Sequence, residues 1–478
     1  MRPKQPEKLK KRTLHKHRLH FKQILLTLVP LIFIATSINT IHIKVSAKPD
    51  FPIHNIDTGL DYETIQEAID ASETMNGHTI LVDDGIYKEH VTVNKTVRLL
   101  GASQSTTIID GNGTEKVVSL TANNAEIAGF TIHNGSWAID LHDVQNASVT
   151  ENKVLNCSYG GILVHGCSRC RIANNTAIST NQAGIYLWES VEIVITNNTV
   201  ANTSHGIYLL VHSTNNIINN NFVTNNPQGI VLSFNCNNNT IVGNTVTLSR
   251  VGGLVMGGAH NNTIYHNNVL YNAIQAWSYG DSSNFWDNGA EGNFWKDYLA
   301  SDLDKDGIGE TPYTIDENNR DNHPLMGTFT DFSINWEKET HHVYAISNST
   351  ISDFEFKVTY EPELRKAISF NLTGEDGTVG FCRVMIPTAL LNYSYTVLVD
   401  GEEVDTTILD ISNSTHAHLY FTYNTSTKHI LIVPEFPSTP VLPLFLIFAV
   451  LAAVFQRKRQ QQSHKIRLRH LCYLRKRA

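Results

Sequence analysis

Between residue 80 and about residue 295 the apolar positions fall in short alternating pieces such as "GIYLW" (184–188) and "GIVLSF" (229–234), broken by asparagine and glycine. Alternation over so few residues predicts strands, in which successive side chains point to opposite faces. Amphipathic helices need runs of roughly ten residues with apolar spacing of 3 and 4. Ile185 and Leu187 are therefore expected on one face of their strand, and Tyr186 and Trp188 on the other.

The pieces repeat. In "NNTIVGNTVTLSRVGGLVMGGAHNNTIYHNNV" (238–269) the phrase I-x-x-N-x-V occurs twice, 23 residues apart. Followed backwards, it gives six asparagines in step: Asn152, Asn175, Asn198, Asn221, Asn244 and Asn267. The residues three before them are Val149, Ile172, Ile195, Ile218, Ile241 and Ile264, and a Gly-Ile phrase recurs at Gly161, Gly184, Gly206 and Gly229. A fixed period of this length marks a stacked architecture. With strands as its units, the predicted fold is an all-β parallel β-helix of about nine coils, a rod roughly 45 Å long at about 4.8 Å per coil. Asparagine and glycine tolerate the left-handed backbone of the corners, and the repeated asparagine is expected to pair its amide with the one a coil away.

The flanks have other patterns. "DYETIQEAIDAS" (61–72) predicts a short helix covering the open bottom coil, whose strand edges would otherwise invite pairing with other chains. "FEFKVTY", "YTVLVDG" and "HLYFTY" predict a small antiparallel, sandwich-like domain. The expected divisions are a signal peptide or signal anchor (1–47), a cap with the first coils (48–124), the repeats with an Asp-rich end (125–330), the sandwich-like domain (331–433), a proline-rich linker (434–440), a transmembrane anchor (441–456) and a basic cytoplasmic tail (457–478).

Charge supports export. The first 22 residues hold nine Lys and Arg against one acid, and residues 457–478 hold nine against none. The middle is left with 19 basic and 44 acidic residues, a net of −25, which argues against nucleic acid as a partner. The basic start runs into "ILLTLVPLIFIATSINTI" and then "KVSAKPD", with Val45 and Ala47 at the cleavage positions. "VLPLFLIFAVLAAVFQRKR" reads as a slightly short membrane span whose basic flank stays in the cytoplasm. Sequons beyond residue 330, at Asn348, Asn371, Asn392, Asn413 and Asn424, fit a glycosylated cell-surface protein. Cys167 and Cys170 form a lone C-x-x-C, read as small residues in a turn, with a disulfide from Cys157 to either left open.

The phrases T-I-Q-E-A-I-D-A, I-L-V-D-D-G-I-Y and L-L-G, followed by coils of I-x-x-N-x-V and G-I-x-L, resemble the NosD type of right-handed parallel β-helix in the pectin-lyase-like superfamily. The resemblance covers roughly residues 55 to 330. The segment "GNFWKDYLASDLDKDGIGETPYTIDENNRDNHPLM", with "GTVGFCRVMIP" and "PEFP", is similar to archaeal surface members with a PEF-type C-terminal anchor, which implies processing by an archaeal sorting enzyme. The family name implies copper by analogy alone.

Aligning coils on Gly-Ile gives two outward columns: Asp140, Leu163, Tyr186, Tyr208, Val231, and His142, His165, Trp188, Leu210, Ser233. Tyr186, Trp188 and Tyr208 would form an aromatic patch on which a sugar ring can lie, or would stack on each other. His142 and His165, beside Asp140 or Asp143, would be a copper or zinc candidate. Asp143 and Glu189, two coils apart and roughly 9.6 Å by strand spacing, are the acid/base candidates for a polysaccharide lyase or glycoside hydrolase. "DLDKDGIGE" offers Asp302, Asp304, Asp306 and Glu310 as a calcium loop lacking the usual twelfth-position Glu, or as a polar turn. The expected function is binding of extracellular or envelope polysaccharide by a non-catalytic, membrane-anchored surface protein. A carbohydrate-active enzyme and a copper-delivery protein are the alternatives.

Overall fold

A computed structural model of the chain describes residues 51–434, apart from 114, 360–364 and 392–393. The expected signal (1–47), transmembrane anchor (441–456), basic tail (457–478) and all but the first residue of the linker (434–440) lie outside the described residues. Among the described residues no helix is long and apolar enough to cross a membrane.

The coils stack as the period requires. Each successive coil adds one strand to each of three sheets, which hold 12, 10 and 9 strands. In the first sheet the pairing runs Val149, Ile172, Ile195, Ile218, Ile241, Ile264, each opposite the next. In the third it runs Ile139, Ile162, Ile185, Ile207, Ile230, Leu254. All of these are buried, and with Leu187 they fill the interior of the rod. The repeat thus becomes a parallel β-helix of about nine turns, because identical side chains fall above one another only when the register advances by one whole coil.

At the lower end the first sheet opens with three antiparallel strands, 60–62 and 79–82 on either side of 53–55. A six-residue helix, Ile65–Asp70, follows, begun by a capping box in which Thr64 and Glu67 bond reciprocally. Ile65, Ala68 and Ile69 are buried in the rod's core. Gln66 lies along the first strand of the third sheet, accepting from the Thr92 N–H at 2.7 Å and donating to its carbonyl at 3.3 Å. Its side-chain amide thus occupies the bonding groups of an edge strand.

The corners are held by asparagine. Asn152 to Asn267 are at most 1 % exposed. Each Nδ2 donates to the Oδ1 of the asparagine one coil on, over 2.9 to 3.3 Å from Asn152 through Asn244. The same Oδ1 also accepts the backbone N–H below it, and Nδ2 donates to a carbonyl 26 residues earlier, as in Asn198 to Ile172 at 2.9 Å. The left-handed backbone belongs to the residue before: Asn174, Asn197 and Asn220 have φ of 56°, 55° and 55°. In each Asn-Asn pair, then, the first bends the chain and the second buries its amide.

Asn267 passes the ladder to Asn293 at 2.8 Å, and Asn293 N–H ends it on Asp321 at 2.7 Å. A carboxylate is a fitting terminus because it accepts without needing a further partner to donate to. Burial pushes the pKa of Asp321 up to about 7, while N–H groups of Asn293, Trp295 and His323 pull it back. A second ladder, Asn216, Asn239, Asn262, Asn284, runs five positions upstream and ends on Asn319.

Residues 328–434 form two five-stranded antiparallel sheets packed around a shared core that includes Val384 and Leu419 from one and Phe370 and Ile430 from the other. The rod joins this sandwich through Asn268, which exchanges two hydrogen bonds of 2.8 Å with the backbone of Phe329.

Replacing Asn198 by leucine should cost about 3 kcal/mol or more, since each orphaned buried group costs about 1–3 kcal/mol. An unchanged urea midpoint would rule out the ladder as a source of stability.

Candidate functional site

The outer face of the third sheet carries the candidate residues, and its register reproduces both expected columns: Asp140, Leu163, Tyr186, Tyr208, Val231, and His142, His165, Trp188, Leu210, Ser233. The three expected aromatics are together but not equivalent. Tyr186 is only 4 % exposed, whereas Trp188 is 38 % exposed. The Tyr186 ring is enclosed by Trp137 at 5.8 Å, Tyr208 at 5.3 Å and Trp188 at 6.2 Å between centroids. Tyr186 is therefore the foundation of the patch, while Trp188 and half-buried Tyr208 are its surface. Burial raises the phenol pKa of both tyrosines.

Trp137 and His205 belong to the same patch and were not picked out from the sequence. Trp137 leans over Gly160, where a Cβ would stand 2.0 Å from the indole. His205 stacks on Tyr208 at 4.6 Å and 17°. Both begin a strand of the third sheet, just before the Gly-Ile alignment, and a glycine one coil from Trp137 was the signal available.

At the lower edge of the patch Asp140 is buried on the outer face, with Oδ2 2.6 Å from Lys116 Nζ. Its Oδ1 has no hydrogen-bond partner among the described residues. Asp143 and Glu189 are exposed, both left-handed at φ 54° and 48°, with Gly166 in the coil between them.

His142 and His165 meet edge to face with centroids 4.6 Å apart. His142 Nε2 faces Asp143 Oδ2 at 3.5 Å, yet these residues do not bring three donors to one point. Among the described residues, only Asp302, Asp304 and Glu310 place three such ligand atoms within 4.8 Å of one another. That set is all oxygen, which suits hard cations rather than copper. The described cysteines are all free and buried, including Cys157, Cys167 and Cys170, so no disulfide joins them. Among the described residues no set of side chains fits a copper centre.

Nor does the acidic loop support calcium. Asp302 accepts the N–H groups of Asp306 and Gly307 at 3.0 Å, Asp306 accepts that of Ile308 at 2.8 Å, and Glu310 accepts those of Leu303 and Asp304. The carboxylates are used to fold the loop itself. Burial raises the pKa of Asp302 and Asp306. Asp306 stands outside the trio, and its backbone carbonyl accepts from Arg383 Nη1 of the sandwich at 3.0 Å. The loop is a docking element, and Ile308 packs beside Leu325, Phe329, Phe381 and Tyr420 in a cluster spanning rod and sandwich.

The same junction buries charge. The Arg383 guanidinium, 2 % exposed, pairs with Glu291, which also meets His266 Nε2 at 2.6 Å. Burial opposes ionisation of Glu291, but the His266 hydrogen bond and the Arg383 charge prevail and hold its pKa down at about 2. Burial, together with the nearby Arg383 charge, lowers the pKa of His418 to about 4.

Stacked coils with an aromatic patch on one outer face define a parallel β-helix. Residues 71–300 match the family described as "NosD: Periplasmic copper-binding protein", and the parallel β-helix of the rod fits that type. A "Cell surface glycoprotein" of Methanothermus fervidus is 34 % identical over 115 residues, 24 % of this chain and 19 % of that protein. The match thus spans about a fifth of the relative's length. Solved structures overlap loosely. The Dettilon tailspike protein (gp208) has a TM-score of 0.32 at 12 % identity over 74 % of this chain and 87 % of its own. The A-module of the Azotobacter vinelandii mannuronan C-5 epimerase AlgE4 has 0.36 at 18 % identity over 48 % and 82 %.

Two outcomes are expected at the junction. Both lowered pKa values mean stability that is present above the unfolded values of about 4.5 and 6.5 and is lost as pH falls toward the folded ones. Calorimetry from pH 7 to 4 should show the junction weakening. Arg383→Leu, which leaves Glu291 buried without its cation, should cost about 3–5 kcal/mol, and unchanged melting would remove the junction from the stability of the fold.

Proposed function

We propose that this protein is displayed at the cell surface, tethered by its C-terminal segment, and binds extracellular or envelope polysaccharide without cleaving it. The observation that carries this reading is the patch formed by Trp188 and Tyr208 over a buried Tyr186. Aromatic rings fixed from below lose little conformational freedom on binding and offer an apolar face to a sugar ring with polar edges beside it. The long regular face of the rod suits a chain ligand, since the same spacing recurs coil after coil. Similarity to a cell surface glycoprotein supports the location. The anchor at 441–456 and its processing by a sorting enzyme rest on the sequence.

A second reading, a carbohydrate-active lyase or hydrolase, is favoured by Asp140. A buried carboxylate with one free oxygen, paired with Lys116 and two residues from His142, has the composition of an acid–base site. Exposed Asp143 and Glu189 lack such an environment.

Trp188→Ala should lower retention on the preferred polysaccharide roughly tenfold, about 1.4 kcal/mol, with melting unchanged. Tyr186→Ala should destabilise the fold by about 3–5 kcal/mol, as for other large buried aromatics. Equal retention by wild type and Trp188→Ala would overturn the binding reading. New reducing or unsaturated ends released by wild type and lost in Asp140→Asn would establish the second reading instead.

A further inference from the structure

A shallow, open hollow of about 500 Å³ lies on the surface at the corner between the second and third sheets, lined by Asn225, Leu248, Ser249, Arg250, Tyr271 and Asn272. These residues come from the corners of three consecutive coils, after strands 222–224, 245–247 and 268–270.

The corner changes character there. The left-handed position is Ser179, Asn202 and Asn225 in the lower coils, with φ of 56°, 57° and 54°. In the next two coils the same position holds Leu248 and Tyr271, with φ of 57° and 53°. Bulky side chains are disfavoured in that conformation. Both are also largely exposed, at 52 % and 63 %. The turn itself requires neither residue, because asparagine serves it in the coils below.

Charge converges on the same place. Residues 172–300 contain two basic side chains, Arg250 and Lys296, against six acidic ones. Arg250 lines the hollow, and Lys296 Nζ sits 5.5 Å from the centroid of the Tyr271 ring in its wall. Neither forms an ion pair with a carboxylate among the described residues. In a segment so short of cations, one that lines the hollow and a second against the Tyr271 ring of its wall, neither holding an anion of the protein, suit an anion from outside.

We propose that this corner binds a carboxylate-bearing sugar residue, a uronate, of the polysaccharide. The proposal rests on the polysaccharide reading above and adds the chemical class of ligand. Leu248 and Tyr271 would take the apolar face of the ring. Arg250 would pair with the carboxylate through two parallel hydrogen bonds, the geometry for which a guanidinium is suited. Lys296 adds charge at the rim.

The test measures binding of the protein to galacturonate, mannuronate, guluronate and glucuronate polymers, each beside its carboxyl-reduced form. At least one acid polymer should bind tenfold or more tighter than its reduced form. The double change Arg250→Gln, Lys296→Gln should abolish that preference, whereas Trp188→Ala should weaken both forms alike. Tyr271→Asn should weaken acid binding while melting at the same or a higher temperature, because it relieves the left-handed bulky residue. Equal binding of acid and reduced forms, or a preference that survives the double change, would overturn the uronate site and leave the polysaccharide reading standing. Failure to bind any polymer in either form would overturn both.

Discussion

Every coil must turn three corners, and at each corner backbone groups leave the sheet ladders with no strand to pair with. The buried asparagine solves this, because one amide offers two donors and an acceptor of two bonds. Asn198 serves two carbonyls and its successor's oxygen while accepting from Asn175. Since each asparagine completes the bonding of the next, the corner keeps the same geometry from coil to coil. The fixed corner in turn holds the sheets in register, and the register creates columns of like-placed side chains on the outer face.

That chain of dependence explains why the site is an outer face rather than a cleft. The inside of the rod is filled by Ile, Val and Leu, so chemistry is confined to alternate outward positions. Aromatic residues there pack across coils, and the lower ones become buried by their neighbours, as Tyr186 is by Trp137 and Tyr208. A patch of this kind is stiff before any ligand arrives, which lowers the ordering cost of binding.

The two domains are connected by burial of charge as well as of apolar surface. Glu291, Arg383 and His266 satisfy one another at the end of the rod, where the ladder has already given way to Asp321. The acidic loop is recruited to this junction by the Asp306 carbonyl and Ile308. Its D-x-D-x-D-G spacing is therefore accounted for by a turn that folds on its own carboxylates and docks a second domain.

The period of 23 residues determined the β-helix, its register and the two outward columns, because stacking turns sequence separation directly into spatial adjacency. The same period held the second ladder at Asn216, Asn239 and Asn262, which only the folded chain makes conspicuous. Alternation likewise placed Ile185 inside and Trp188 outside, since that depends on strand geometry alone. Tertiary structure decided how much of each outward ring is open, that Asp140 is buried against Lys116, and that Arg383 from the sandwich reaches Glu291, 92 positions away. These are properties of packing between coils and domains with no common period, so no spacing in the sequence announces them. The unusual Leu248 and Tyr271 lie between the two cases: their identities are written in the chain, but their left-handed backbone and exposure are known only once the corner is built.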